Sequence, residues 1–109
     1  SMVNDFGAIF ELCNWVLVQY INNPQVIKPS LVRSCLKTLQ AFISWIPLGY
    51  IFETNLIEMI LNNFIVPAQT RIEGIKCFTE ISSISLTDLT LEEQKIIKEK
   101  ILLFFCIFI

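Results

Sequence analysis

Side chains able to do chemistry are scarce in this chain. It contains no histidine, which removes the commonest general base, the Ser-His and Cys-His nucleophile pairs and most catalytic zinc sites. Four cysteines, Cys13, Cys35, Cys77 and Cys106, are widely spread, and none forms a C-x-x-C pair. Free cysteine commonly packs as a small apolar residue, so reduced, buried thiols are expected, in keeping with a cytosolic or nuclear compartment. The neighbouring carboxylates are Glu92 and Glu93, with Asp88 alone before them. All three sit where a helix start accounts for them, and paired acid–base catalysis is not expected. Three scattered glycines cannot build a phosphate-binding loop. No enzyme activity, cofactor or metal is expected.

Composition narrows the class further. The chain has 109 residues, enough for one domain at most. Its apolar fraction of 54% exceeds the ~45–50% usual for soluble domains, and only 17% is charged. A slab cut from a longer stacked protein has two faces meant for neighbours, and such an excess suits it. Ser1 before Met2 reads as an expression scar, and 1–109 reads as a single segment of a larger protein. A net charge of −2 offers no basic stripe for nucleic acid. The longest apolar run, Ile101–Ile109, has nine residues, far below the ~20 a membrane-spanning helix requires.

The elements that must position any functional residue are helices. Asn4 to Ile21 places Phe6, Ile9, Phe10, Cys13, Leu17 and Tyr20 on one face. Leu12, Trp15 and Val18 form a second apolar sector, so contact from more than one side is expected. A second helix runs from Pro29, a residue suited to a first helical position, to Ile46. Val32, Leu36, Leu39, Ile43 and Ile46 are its stripe, widened by Leu31, Cys35 and Phe42. A third spans Thr54 to Ile65. A fourth opens at Thr70-Arg71-Ile72-Glu73 and a fifth at Thr90-Leu91-Glu92-Glu93, both with the spacing of a capping box. In the fourth, Ile72, Ile75, Phe78 and Ile81 are expected inward.

The second and fourth helices look related. A shift of 39 residues pairs Leu36 with Ile75, Lys37 with Lys76, Leu39 with Phe78, Phe42 with Ile81 and Ser44 with Ser83. A helical pair repeating near 40 residues lies in the HEAT and armadillo range. On spacing alone two architectures stand: an all-α solenoid of about two and a half helical pairs, and a compact helical bundle.

Between the second and third helices lies Trp45-Ile46-Pro47-Leu48-Gly49-Tyr50-Ile51-Phe52-Glu53-Thr54. Pro47 and Gly49 explain a turn. The apolar residues around them suggest a turn buried against something. This wording resembles the nuclear exportin for leucine-rich export signals, a karyopherin-β of the importin-β superfamily built from HEAT repeats. Phe10-Glu11-Leu12-Cys13 upstream and Lys76-Cys77-Phe78-Thr79-Glu80-Ile81 downstream resemble neighbouring pieces of the same family, within its N-terminal half. The resemblance implies an α-solenoid of HEAT repeats and a structural segment of a nuclear export receptor. It implies Ran-GTP, export-signal cargo and nucleoporins as partners through the parent protein, which shuttles between nucleus and cytoplasm. No direct nucleic-acid or membrane contact is implied. The family's cargo groove, with its reactive thiol, and its acidic loop are not in this segment, so no reactivity passes to the four cysteines. In this family the second helix of each repeat lines the concave surface. Arg33, Lys37, Lys76 and Glu80 would then form a charged row facing the cavity; otherwise they are an ordinary solvated stripe. The alternative function is a self-contained helical adaptor that binds a partner helix in an apolar groove. Cut free, the segment is expected to self-associate through Ile101–Ile109.

Overall fold

The computed structural model describes residues 2–44, 49–84 and 89–108. They form six α-helices: α1 (Met2–Asn22), α2 (Pro29–Ile43), α3 (Gly49–Phe52), α4 (Leu56–Asn63), α5 (Arg71–Ser82) and α6 (Leu91–Phe108). The molecule is a slab of 43 × 40 × 19 Å. Its thin dimension is about two helix diameters at ~10 Å each. α1 pairs with α2 and α4 with α5, while α2 and α5 make the most extensive contact between any two helices. α6 packs on α5 and begins a third pair. Two hairpins stacked through their second helices, with half of a third, make an α-solenoid segment of HEAT type rather than a closed bundle.

Local chemistry explains where the helices begin and end. Lys28 precedes Pro29 and is held extended at φ −71°, ψ 139°, as a residue before proline must be. Pro29 then opens α2. The two capping-box spacings behave differently. At α6 both halves form: Glu93 N–H donates to Thr90 Oγ1 at 3.1 Å, and Thr90 N–H to Glu93 Oε1 at 2.9 Å. At α5 the expected box is absent, and the buried Thr70 hydroxyl donates instead to the Phe64 carbonyl at 3.1 Å. Arg71 extends this arrangement, donating from Nε to the Ile65 carbonyl at 3.1 Å and from Nη2 to the Val66 carbonyl. The start of α5 thus satisfies backbone carbonyls of the turn that follows α4.

The core runs along the stacked layer. Val32, Leu36, Leu39 and Ile43 of α2 are buried as the periodicity requires, together with Leu56, Ile60, Leu61 and Phe64 from the second pair. In α5 the expectation needs correction. Ile72 is 64% exposed and Ile75 half-buried, and the inward positions are Gly74, Cys77, Phe78 and Ile81. The buried stripe is rotated because Gly74 lies directly against the Phe64 carbonyl. The anticipated turn also differs. Trp45 to Leu48 lie outside the described residues, and Gly49–Phe52 is a one-turn helix rather than a loop. Its Ile51 is inaccessible to solvent, while Tyr50 and Phe52 are half-buried. The Tyr50 ring meets that of Phe10 at 5.1 Å, joining two of the segments that carry the family resemblance.

Candidate functional site

Stacking α2 on α5 brings the four charged candidates onto one pair of packed helices. Lys37 and Lys76 are exposed, and they are the two positions matched by the repeat of 39 residues. Arg33 and Glu80 are half-buried. Part of Arg33 is committed to the fold, since its Nη1 donates to the Gln69 carbonyl at 3.4 Å and ties α2 to the α4–α5 turn. That tie depends on the path of a loop distant in sequence, so side-chain spacing gave no sign of it. The neighbouring Tyr20 hydroxyl reaches Gln69 Oε1 at 3.5 Å and holds the same loop from α1.

Among the described residues nothing resembles a catalytic centre. No group of three or more Cys, Asp or Glu is placed to hold a metal ion. Glu93 is engaged in its capping box, and Glu92 is exposed in the first turn of α6. Asp88 lies outside the described residues. Among the described residues no helix is long and apolar enough to cross a membrane.

Three of the four cysteines are buried as expected, and the fourth is not. Cys13, Cys35 and Cys77 are buried and Cys106 is exposed. Burial, reinforced by the adjacent Cys35, pushes the Cys13 thiol up to about 12. Burial likewise raises Cys35 and pushes Cys77 up to about 12. In the folded chain a maleimide should label Cys106 quickly and the other three slowly; rapid stoichiometric labelling of Cys13, Cys35 or Cys77 would contradict this. The same shifts set a pH dependence. Unfolded thiols release protons near pH 8.5, whereas the buried ones keep theirs until about pH 12. The unfolded state then binds fewer protons, so stability should be level up to about pH 8.5 and fall between there and about pH 12. Chemical denaturation at stepwise higher pH checks it.

Two apolar flanks remain on the slab. On α1, Leu12 and Trp15 are exposed. On α6, Phe104 stacks on Phe78 with ring centroids 5.1 Å apart, and Ile97 is buried. Leu102, Leu103 and Phe105 of the same helix lie open, Leu102 to 66%. Covering side chains of this size is worth roughly 1.5–3 kcal/mol each. The chain in isolation is therefore expected to associate with itself, with a mass by light scattering that rises with concentration. Leu102→Lys with Phe105→Lys should return it to a monomer. A wild-type chain that stays monomeric at millimolar concentration would contradict the expectation.

Paired helices stacked through their second members, with open apolar flanks, define an α-solenoid segment of HEAT repeats. Comparison with known proteins agrees. Residues 1–78 match the model of the exportin 1-like protein family. Exportin-1 of Schizosaccharomyces pombe is 44% identical over 85 residues, covering 78% of this chain and 7% of that protein. Protein EXPORTIN 1A of Arabidopsis thaliana is 40% identical over 88 residues, 81% of this chain and 8% of that one. Exportin-1 of Drosophila melanogaster is 38% identical over 85 residues, with 78% and 7% covered. This chain belongs to the exportin 1-like family, and it spans less than a tenth of the length of these relatives.

Proposed function

We propose that the chain is a structural segment of a nuclear export receptor that carries leucine-rich-signal cargo out of the nucleus together with Ran-GTP. The single observation that carries this reading is the identity of 38–44% to proteins named Exportin-1 from fungus and fly, over 78% of the chain. The parent protein would shuttle between nucleus and cytoplasm and would meet nucleoporins on the way. The segment's own part is mechanical. Small rotations between stacked repeats change the curvature of a solenoid, and cargo and Ran-GTP binding both depend on that curvature. Open apolar flanks on both α1 and α6 favour a link in a longer stack over a self-contained adaptor, which needs one groove.

Within this reading, Lys37, Lys76, Arg33 and Glu80 form a charged row on the concave surface. Lys37 and Lys76 are its outward members and Arg33 is partly held by Gln69. The purified parent protein should retain a leucine-rich export-signal peptide tightly only when Ran-GTP is present. Lys37→Glu with Lys76→Glu should weaken Ran-GTP binding several-fold, more at low salt than at high salt, as screening of exposed charges requires. Unchanged affinity in the double variant would remove the charged row from the account. A parent that binds the peptide equally without Ran-GTP would remove the receptor reading itself.

A further inference from the structure

We propose that α3 and α4 form one rigid wedge, pinned by the Thr54 hydroxyl, that couples α1 of the first pair to α6 of the third. Thr54 lies between the two short helices and bonds to both. Its hydroxyl donates to the Tyr50 carbonyl of α3 at 2.7 Å and accepts the Leu56 N–H of α4 at 3.3 Å. Bending the two helices apart breaks one of these bonds or the other. Ile51 and Leu56, on either side of the pin, are fully buried and root the wedge in the core.

The wedge meets a different helix at each end. Toward α1, the Tyr50 hydroxyl comes so close that a Cβ on Gly7 would lie 2.9 Å from it. One turn along the same helix, the Phe10 ring meets that of Tyr50 at 5.1 Å. Toward α6, Lys100 Nζ donates to Glu58 Oε1 of α4 at 3.0 Å. Packing around that contact is loose: Phe52 and Ile57 of the wedge and Ile96 and Glu99 of α6 line a cavity of about 370 Å³. α6 therefore has room to shift, and Lys100 ties that shift to the wedge. Close-packed interiors transmit strain, so a wedge displaced at Glu58 is displaced at Tyr50 as well. α2 and α5 stack separately in the layer of second helices, and the wedge adds another route between the pairs. Each pair of a solenoid ordinarily answers to its neighbours; here the first also responds to the third. This coupling belongs to the segment itself and does not depend on what the parent protein carries.

Hydrogen exchange followed by mass spectrometry tests the coupling, on the full chain in the monomeric Leu102→Lys/Phe105→Lys background. Lys100→Glu sets like charges against each other at Glu58 and frees α6. Amides of 7–13 in α1 should then exchange several-fold faster, together with those of α6. Those of 36–43 in α2, which report global opening, should stay unchanged. Adding Thr54→Val, which keeps the shape and removes the hydroxyl, should confine the acceleration to α6. Thr54→Ser, which keeps the hydroxyl, should retain it in α1. Lys100→Gln gives the same comparison should the charge reversal unfold the chain. An α1 that does not respond, an acceleration in α1 that survives Thr54→Val, or equal acceleration of α1 and α2 would overturn the coupling.

Discussion

Phe64→Ala is expected to destabilise the chain by about 3–5 kcal/mol, the largest effect of any single truncation. Among the described residues, Phe64 is the largest completely buried side chain. It lies where α4 ends, its ring centroid 6.3 Å from that of Tyr20 on α1. One residue therefore joins the first hairpin to the second. Its removal leaves a cavity lined by helices already fixed through other contacts, which limits collapse. Domains of this size hold only ~5–15 kcal/mol in total, so the variant should be close to unfolding at room temperature. Urea denaturation, in the monomeric Leu102→Lys/Phe105→Lys background, measures it. A loss below about 1 kcal/mol would mean that the joint between the pairs lies elsewhere.

The second large effect has a sign that propensity alone gets wrong. Gly74 sits inside α5, where alanine ordinarily gains ~1 kcal/mol over glycine. A Cβ at this position would meet the Phe64 carbonyl oxygen at 2.3 Å and its carbon at 2.8 Å. Both are backbone atoms. They are fixed from the other side by Thr70, whose hydroxyl bonds the same oxygen at 3.1 Å. Relief therefore requires α4 and α5 to separate, at a cost of ~1–3 kcal/mol or more, as overpacking typically does. That exceeds the propensity gain, so Gly74→Ala should be net destabilising, and Gly74→Val more so. Thr70→Val tests the companion contact: losing the hydroxyl should cost ~1 kcal/mol. A stabilised Gly74→Ala would show that the helices pack with more room than the structure has.

Much of this fold is written in short-range pattern. The stripe of Val32, Leu36, Leu39 and Ile43 needed only helical period, and Pro29 marked its start. The 39-residue shift anticipated the α2–α5 stacking, with Leu39 and Phe78 both buried. What escaped depended on partners distant in sequence. Thr70 and Thr90 have the same capping-box spacing, yet only Thr90 forms it. Near Thr70 the free Phe64 carbonyl competes for the hydroxyl, and the local sequence does not show that competitor. On α5, Phe78 and Ile81 lie inward as expected, whereas Gly74 and Cys77 take the inward places expected of Ile72 and Ile75, because close approach at Gly74 turns Ile72 outward. A glycine in mid-helix was itself a signal that backbone comes near. In the candidate site, exposed Lys37 and Lys76 were legible from the polar face of each helix, whereas the tie from Arg33 to Gln69 required the course of the 64–70 loop.

Whether this segment works as part of an export receptor is most directly measured by exchange. The matching stretch of Schizosaccharomyces pombe Exportin-1 is replaced with the corresponding residues of this chain, and the nuclear-to-cytoplasmic ratio of a reporter bearing a leucine-rich export signal is followed in living cells. The chimera should move the reporter out of the nucleus, and Gly74→Ala within it should impair that movement in step with its loss of stability. A chimera that folds and reaches the nuclear envelope yet leaves the reporter nuclear would contradict the account.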